Sequence, residues 1–359
     1  MDNHIINQNW TNRPDDQRFV DMNTLHEFNL NKRSRSIESG VALDHMLLKP
    51  QDGNGLLLAN PTTGEVGDLS NWAFGQLCVR VGAPAGYLRS LPSQLAAIPL
   101  QYSMEDRKED AKILFRKGNG VNPSIDAVTS QTYGRIYDAE MSAAVLKHVD
   151  LNTWKIPAAS YATKDPKRAT TLYASDRDCF ICLVNDSNPI EIPGGNGQDT
   201  LFRGFICRNS EVGAAAFDLW LFLYRLICDN RIIHGLTGEQ HLKIRHSSGG
   251  PMRFLQEASP ALNNYLTSGT TETVDFIRRA QNNEVGKSEA EVTSWLRNRG
   301  FAQATAKTIA VKAEEQTGNP RSGWAVVNAI TETARDMRFG DERIAMEKQA
   351  SKILDVVAA

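Results

Sequence analysis

The chain has 359 residues, 41% of them hydrophobic and 23% charged, with a formal net charge of −2. This is the composition of a folded protein large enough for one broad core or two modest ones. A pI near 6.4 excludes a global basic field that would hold nucleic acid non-specifically, so any such binding needs a local patch.

The polar start, Met-Asp-Asn-His-Ile-Ile-Asn-Gln, has no apolar core of a secretory leader. The longest apolar run, 214–228, carries Asp218 and Arg225 and is too short to cross a bilayer. A cytoplasmic protein with no membrane partner is therefore expected. The five cysteines are odd in number and lie mostly in apolar runs, which suits reduced, buried thiols.

In chain order, the first 52 residues are polar and mixed: an arm anchored by Trp10 and Phe19, then a short helix around Leu25 to Phe28. The run Lys32-Arg-Ser-Arg-Ser-Ile reads as a solvated basic loop. Ser70 can cap a helix to Val81, Gly82 can end it, and Pro84 can open a second helix, so 70–91 is predicted to be a helical hairpin. Its spacing is compatible with a helix-turn-helix, but the second helix offers a groove only Tyr87, Arg89 and Ser90; a packed scaffold is the reading adopted.

A strand from Ile125 to Ser130 leads to Tyr133, Arg135 and Tyr137, followed by a helix over 139–148. Thr170 to Ser175 and Cys179 to Val184 read as a hairpin closed by Asp176-Arg-Asp178, and 193–197 as a hairpin loop. Dense apolar strands cut by Asn209-Ser210 and Asp229-Asn230 fill 201–249. Beyond Pro251 the pattern turns helical, with Ser288 and Glu291 forming a capping box. The predicted fold is α+β: a central, mostly antiparallel sheet from about Ile125 to His246, with an N-terminal helical hairpin and a helical C-terminal cap. Three regions follow, 1–120, 121–250 and 251–359.

Arg13-Pro-Asp-Asp-Gln-Arg-Phe19, Asn71-Trp-Ala-Phe-Gly-Gln-Leu77, Gly82-Ala-Pro-Ala-Gly-Tyr-Leu-Arg89, Tyr133-Gly-Arg-Ile136, Ser175-Asp-Arg-Asp178, Asn209-Ser-Glu-Val-Gly213 and Asn328-Ala-Ile-Thr331 together resemble the phage/plasmid-like proteins of domain of unknown function family 932. The resemblance implies a cytoplasmic mobile-element protein and supplies no catalytic residue.

Several constellations carry chemistry. Cys179-Phe-Ile-Cys182 has the gap of a zinc knuckle that Cys207 and Cys228 could complete. Strand alternation, however, puts Cys179 and Cys182 on opposite faces, so metal-free structural thiols are expected. His234, His241 and His246 could form a metal triad, but at strand ends they read as hydrogen-bonding groups. Asp176, Asp178 and Glu211 could hold Mg as a nuclease-like hydrolase requires.

The cations and aromatics of the core point elsewhere. Tyr133, Arg135, Arg208, Asn209, Arg231, Lys243, Arg245 and His246 are the candidate nucleic-acid-binding residues, with phosphates on the cations and a base on Tyr133. The reading adopted is a non-catalytic accessory protein, without a cofactor, that binds single-stranded nucleic acid in phage or plasmid DNA metabolism and forms a possible homo-oligomer. The alternatives are the metal-dependent hydrolase and an anti-defence protein that binds a host factor.

Overall fold

The computed structural model describes residues 14–51, 55–118, 120–156, 170–192, 199–225, 230–232, 241–269, 271–316, 318–335 and 340–359. Strand β1 (Arg18–Phe19) is followed by helix α1 (Met22–Ser34), whose first turn is capped by the Asp21 carboxylate accepting from Thr24 N at 2.8 Å. Then come β2 (Ser36–Ala42), β3 (Leu47–Pro50), β4 (Leu56–Ala59) and β5 (Val66–Leu69).

Helix α2 (Asn71–Val81) starts where expected, with Ser70 Oγ accepting from Ala73 N. It ends at Gly82, whose φ of 70° is a left-handed conformation that glycine reaches without steric cost. Helices α3 (Ala85–Arg89) and α4 (Ser93–Arg107) follow, then β6 (Asp110–Arg116) and β7 (Ser124–Ser130). These strands form a six-stranded sheet in the order β2-β6-β7-β5-β4-β3, antiparallel apart from the β5–β7 pair. Leu77, Leu100, Met104, Ile113 and Ile125 knit the helical hairpin and α4 onto it.

After α5 (Asp138–His148), strands β8 (Trp154–Lys155), β9 (Leu172–Ala174), β10 (Cys179–Ile192), β11 (Asp199–Asn209), β12 (Phe217–Arg225), β13 (Asn230–Ile232) and β14 (His241–Ile244) build a second sheet around β1. Its order is β1-β9-β10-β11-β12-β13, with β14 on β12 and β8 on β10; every pairing is antiparallel. The β9–β10 hairpin turns where the aspartates predict it, with Ala174 opposite Cys179. The loop at 193–197 lies outside the described residues.

The fold is α+β with a large antiparallel sheet and a helical C-terminal region. Two expectations need correction. Strand β7 does not begin the large sheet; it pairs with β6 and β5 in the smaller one. The run 32–37 is not a loop but the end of α1 and the start of β2, because Lys32 turns inward to buried carboxylates.

The C-terminal region holds α6 (Gly250–Arg253), a π-turn over Phe254–Ala258, α7 (Ser259–Thr267), α8 (Thr271–Asn282), α9 (Glu289–Arg297), α10 (Gln303–Glu314), α11 (Gly323–Arg335) and α12 (Gly340–Ala358). Ser288 caps α9 as its sequence predicts, accepting from Glu291 N. Ile277, Leu296, Ile309, Ile330 and Leu354 pack with Ile190, Ile192, Leu201 and Leu223 from the outer part of the large sheet. The inner part of the same strands packs instead on α1, α5 and the π-turn, through Ile181, Phe205, Phe217, Met141 and Phe254. Long strands thus carry two cores and leave the sheet junction at their Asn209 end.

Candidate functional site

At that junction lies a cluster of buried charges. Lys32, on the inner face of α1, places Nζ 2.6 Å from Asp138 Oδ2 and 3.6 Å from Glu211 Oε1. Glu211 Oε1 also accepts from Asp138 N, at the first turn of α5, and its Oε2 accepts from Arg116 Nη2 at 3.0 Å. Arg116 of β6 donates further to Asp126 of β7, to Lys32 O and to Ser36 Oγ. Asn209 Nδ2 donates to Asp138 Oδ1 and to Ile136 O, both at 2.8 Å.

The side chains of Lys32, Asp138 and Glu211 are at most 5% exposed. Buried charges persist only when each has partners, because desolvation costs several kcal/mol per ion. Burial alone would lower the Lys32 ammonium's pKa, but Asp138 and Glu211 hold it above its ordinary value. Burial pushes Asp138 up to about 7, with the Glu211 carboxylate adding to the rise and Lys32 opposing it. Glu211, despite burial, is held below the usual carboxylate range by Lys32 and Arg116. The cluster is closed on itself and joins α1, α5 and both sheets.

The predicted site residues divide around it. Arg135 is buried, with Nε 2.6 Å from Glu38 Oε2 and Nη1 on Glu211 O. Asn209 is fully buried, and Arg208 is buried with Nη2 4.0 Å from Asp178 Oδ2. None of these three side chains is open to a phosphate in this conformation. Tyr133 is half-buried, stacked on His246 with ring centroids 5.0 Å apart, and the Arg135 guanidinium lies 5.1 Å from its ring. The ring thus already has an imidazole and a guanidinium as neighbours. Burial, aided by Arg135, pushes His246 down to about 4, so the imidazole is neutral at pH 7 and adds no charge. Lys243 is half-buried and Arg245 is exposed. The backbone of Arg231 pairs with Tyr224; its side chain, like His234 and Cys228, lies outside the described residues.

The carboxylates of the hydrolase alternative do not converge. Asp176 is exposed, Asp178 is tied to Ser175 Oγ at 2.8 Å in the hairpin turn, and Glu211 is held by the cluster. Among the described residues, no group of three or more His, Cys, Asp and Glu is arranged to hold a metal ion. Cys179 and Cys207 enter one core and Cys182 another, as strand alternation predicts. His241 stacks on Trp220 and lies 2.8 Å from Asp218, apart from His246 on Tyr133.

Outside the buried cluster runs a row of cations and aromatics. The exposed Arg33 guanidinium sits 3.8 Å over the half-buried Tyr137 ring. Exposed Arg35 donates its Nε to Asn31 O at 3.3 Å, and its carbonyl accepts from the backbone of exposed Lys117 at 2.9 Å. Lys112 Nζ donates to Tyr133 O at 3.0 Å, Tyr133 stacks on His246, and the exposed Arg245 precedes His246 in the chain. Glu38 and Glu140 are the acids along it, Glu38 held by Arg135 and Lys112, Glu140 accepting from Tyr137 N. Among the described residues, Arg33, Arg35, Lys117 and Arg245 form no ion pair.

Sequence reasoning missed Lys32, Arg116 and Asp138 because their partners in the cluster are remote in the chain, and Asp126 because only strand register brings it to Arg116. Arg33 and Arg35 could have been singled out: in the basic run the helical period sends Lys32 inward and its neighbours outward. No family model, curated protein or solved structure matches this chain.

Proposed function

We propose that the chain is a nucleic-acid-binding accessory protein of phage or plasmid DNA metabolism, holding a single strand along the row from Lys117 and Arg35 through Arg33 and Tyr137 to Arg245. The observation that carries this reading is that Arg33, Arg35, Lys117 and Arg245 are exposed and, among the described residues, form no ion pair, with the Arg33 guanidinium over the half-buried Tyr137 ring. Cations that track a backbone beside rings that meet bases are the usual means of holding single strands without sequence preference. The net charge of −2 gives such binding no global support, so it rests on this local patch. The family resemblance adds the mobile-element context by analogy alone.

The test is fluorescence anisotropy with a labelled oligo-dT strand and a duplex of equal length, across a salt series. Tighter binding of the strand, weakening steeply with salt, supports the reading. No binding to either at low salt contradicts it.

A second reading, the host-factor binder, has one specific support. Helix α4 presents Leu95, Ile98 and Tyr102 at 55%, 68% and 69% exposure along one stripe, and exposed apolar stripes mark protein contacts. Replacing all three by serine leaves oligonucleotide binding intact under the first reading and removes host-factor capture under the second.

A further inference from the structure

A cavity of about 240 Å³ opens between α2, α3, α4 and the β4–β5 pair. Leu56, Leu69, Phe74, Leu88 and Leu91 form its apolar side, Leu56 and Leu88 being buried, and Asn71, Arg89 and Ser93 its polar side. The cavity is open to solvent on one side, and its leucine and phenylalanine walls suit an apolar guest whose polar end stays at the mouth. One cation stands at the exposed rim. Arg89 Nε donates to Asn71 Oδ1 at 2.7 Å and its Nη2 to Asn71 O at 2.9 Å.

The guanidinium is fixed on its other sides as well. It lies 5.3 Å from the Phe74 ring, and it passes over Gly75, where a Cβ would sit 2.8 Å from Nη2. Among the described residues no carboxylate lies within ion-pair distance of it. A cation set against the first turn of α2 gains nothing from the helix dipole, which favours anions there. Arg89 is thus preorganised by neutral groups, and among the described residues no carboxylate pairs with it at the mouth of the cavity.

We infer that this cavity is a binding site for a small amphipathic carboxylate, a medium-chain or aryl acid. Its apolar body fills the leucine-lined space and its carboxylate pairs with Arg89. The site is separate from the cation–aromatic row and does not depend on nucleic-acid binding.

Octanoate and octanol, titrated into the full chain by calorimetry, test the inference. The expected result is one equivalent of octanoate bound roughly tenfold or more tighter than octanol, the discrimination of one charge-assisted hydrogen bond. Arg89→Met keeps the apolar wall and should equalise the two ligands, whereas Leu91→Trp should fill the mouth and weaken both. No octanoate binding, equal binding of the two by the native chain, or a preference that survives Arg89→Met overturns the assignment. If either variant fails to fold, the octanoate-to-octanol ratio of the native chain decides.

Discussion

Lys32 Nζ and Asp138 Oδ2 meet at 2.6 Å, each almost wholly shielded from water, and so tie the inner face of α1 to the first turn of α5. The pair is the centre of a cluster that also holds Arg116 of the smaller sheet and Glu211 beyond the end of β11. Such pairs contribute little net stability compared with a well-packed apolar pair, but removing one partner strands the other.

Lys32→Met should therefore destabilise the chain by about 3–5 kcal/mol, because it leaves Asp138 and Glu211 facing each other without their shared ammonium. Adding Asp138→Asn should restore part of that loss. Urea unfolding of the single and double variants checks both; equal stability of Lys32→Met and the native chain would remove the cluster from the account.

The pH dependence follows from Asp138. Its folded pKa of about 7 lies above the ordinary 3.8, so between those values the folded chain keeps a proton that the unfolded chain has released. Stability from this group is full below about 4 and lost as pH rises through 7. Glu211, with a lowered pKa, acts with the opposite sign and only below its ordinary 4.5; Lys32, with a raised one, acts only above 10.5. Asp138 alone contributes a fall of at most about 1.4 kcal/mol per unit, and His246, lowered from 6.5 to about 4, opposes it up to pH 6.5. The net fall should therefore appear between about pH 6.5 and 8, and Asp138→Asn should flatten it.

Local signals were legible in the sequence and long-range ones were not. Ser70, Gly82 and Pro84 marked the helical hairpin because caps and turns are local chemistry, and the Asp176–Asp178 turn declared its hairpin in the same way. Lys32 looked solvated because its counter-charges sit on α5 and beyond β11. Strand β7 looked like part of the large sheet because apolar alternation says which face is buried, not which strand is the neighbour. Arg135 and Arg208, expected to meet phosphates, face inward to Glu38 and Asp178. Arginines inside apolar runs are buried when the fold brings them a carboxylate, and one sequence does not reveal that carboxylate.

Gly134 holds the row against α6. A Cβ there would stand 2.0 Å from Ser247 O and 2.7 Å from Pro251 Cδ, and backbone at that distance cannot move aside. Gly134→Ala should cost roughly 1–3 kcal/mol or more of stability, and it should separate Tyr133 from His246. Loss of the ring-current shift between the two rings in the NMR spectrum is the direct readout.

Arg203 closes the C-terminus of α7 by donating to Tyr265 O, Ser268 O and Gly269 O. Arg203→Met should loosen that helix end and leave oligonucleotide binding unchanged, since the guanidinium serves helix carbonyls that lack partners within the helix. Hydrogen exchange over residues 259–269, measured beside anisotropy, separates the two effects.

The central claim is that exposed cations along the row contact phosphates. The most direct measurement is the log–log salt slope of oligo-dT binding for the native chain, Arg33→Ala and the Arg33→Ala/Arg245→Ala double variant. Each lost phosphate contact on a single strand should reduce the slope by about 0.7, hence by about 1.4 in the double variant. Tyr137→Ala should instead cost roughly 1–3 kcal/mol of affinity with the slope unchanged. A folded double variant whose affinity and slope match those of the native chain would contradict the account.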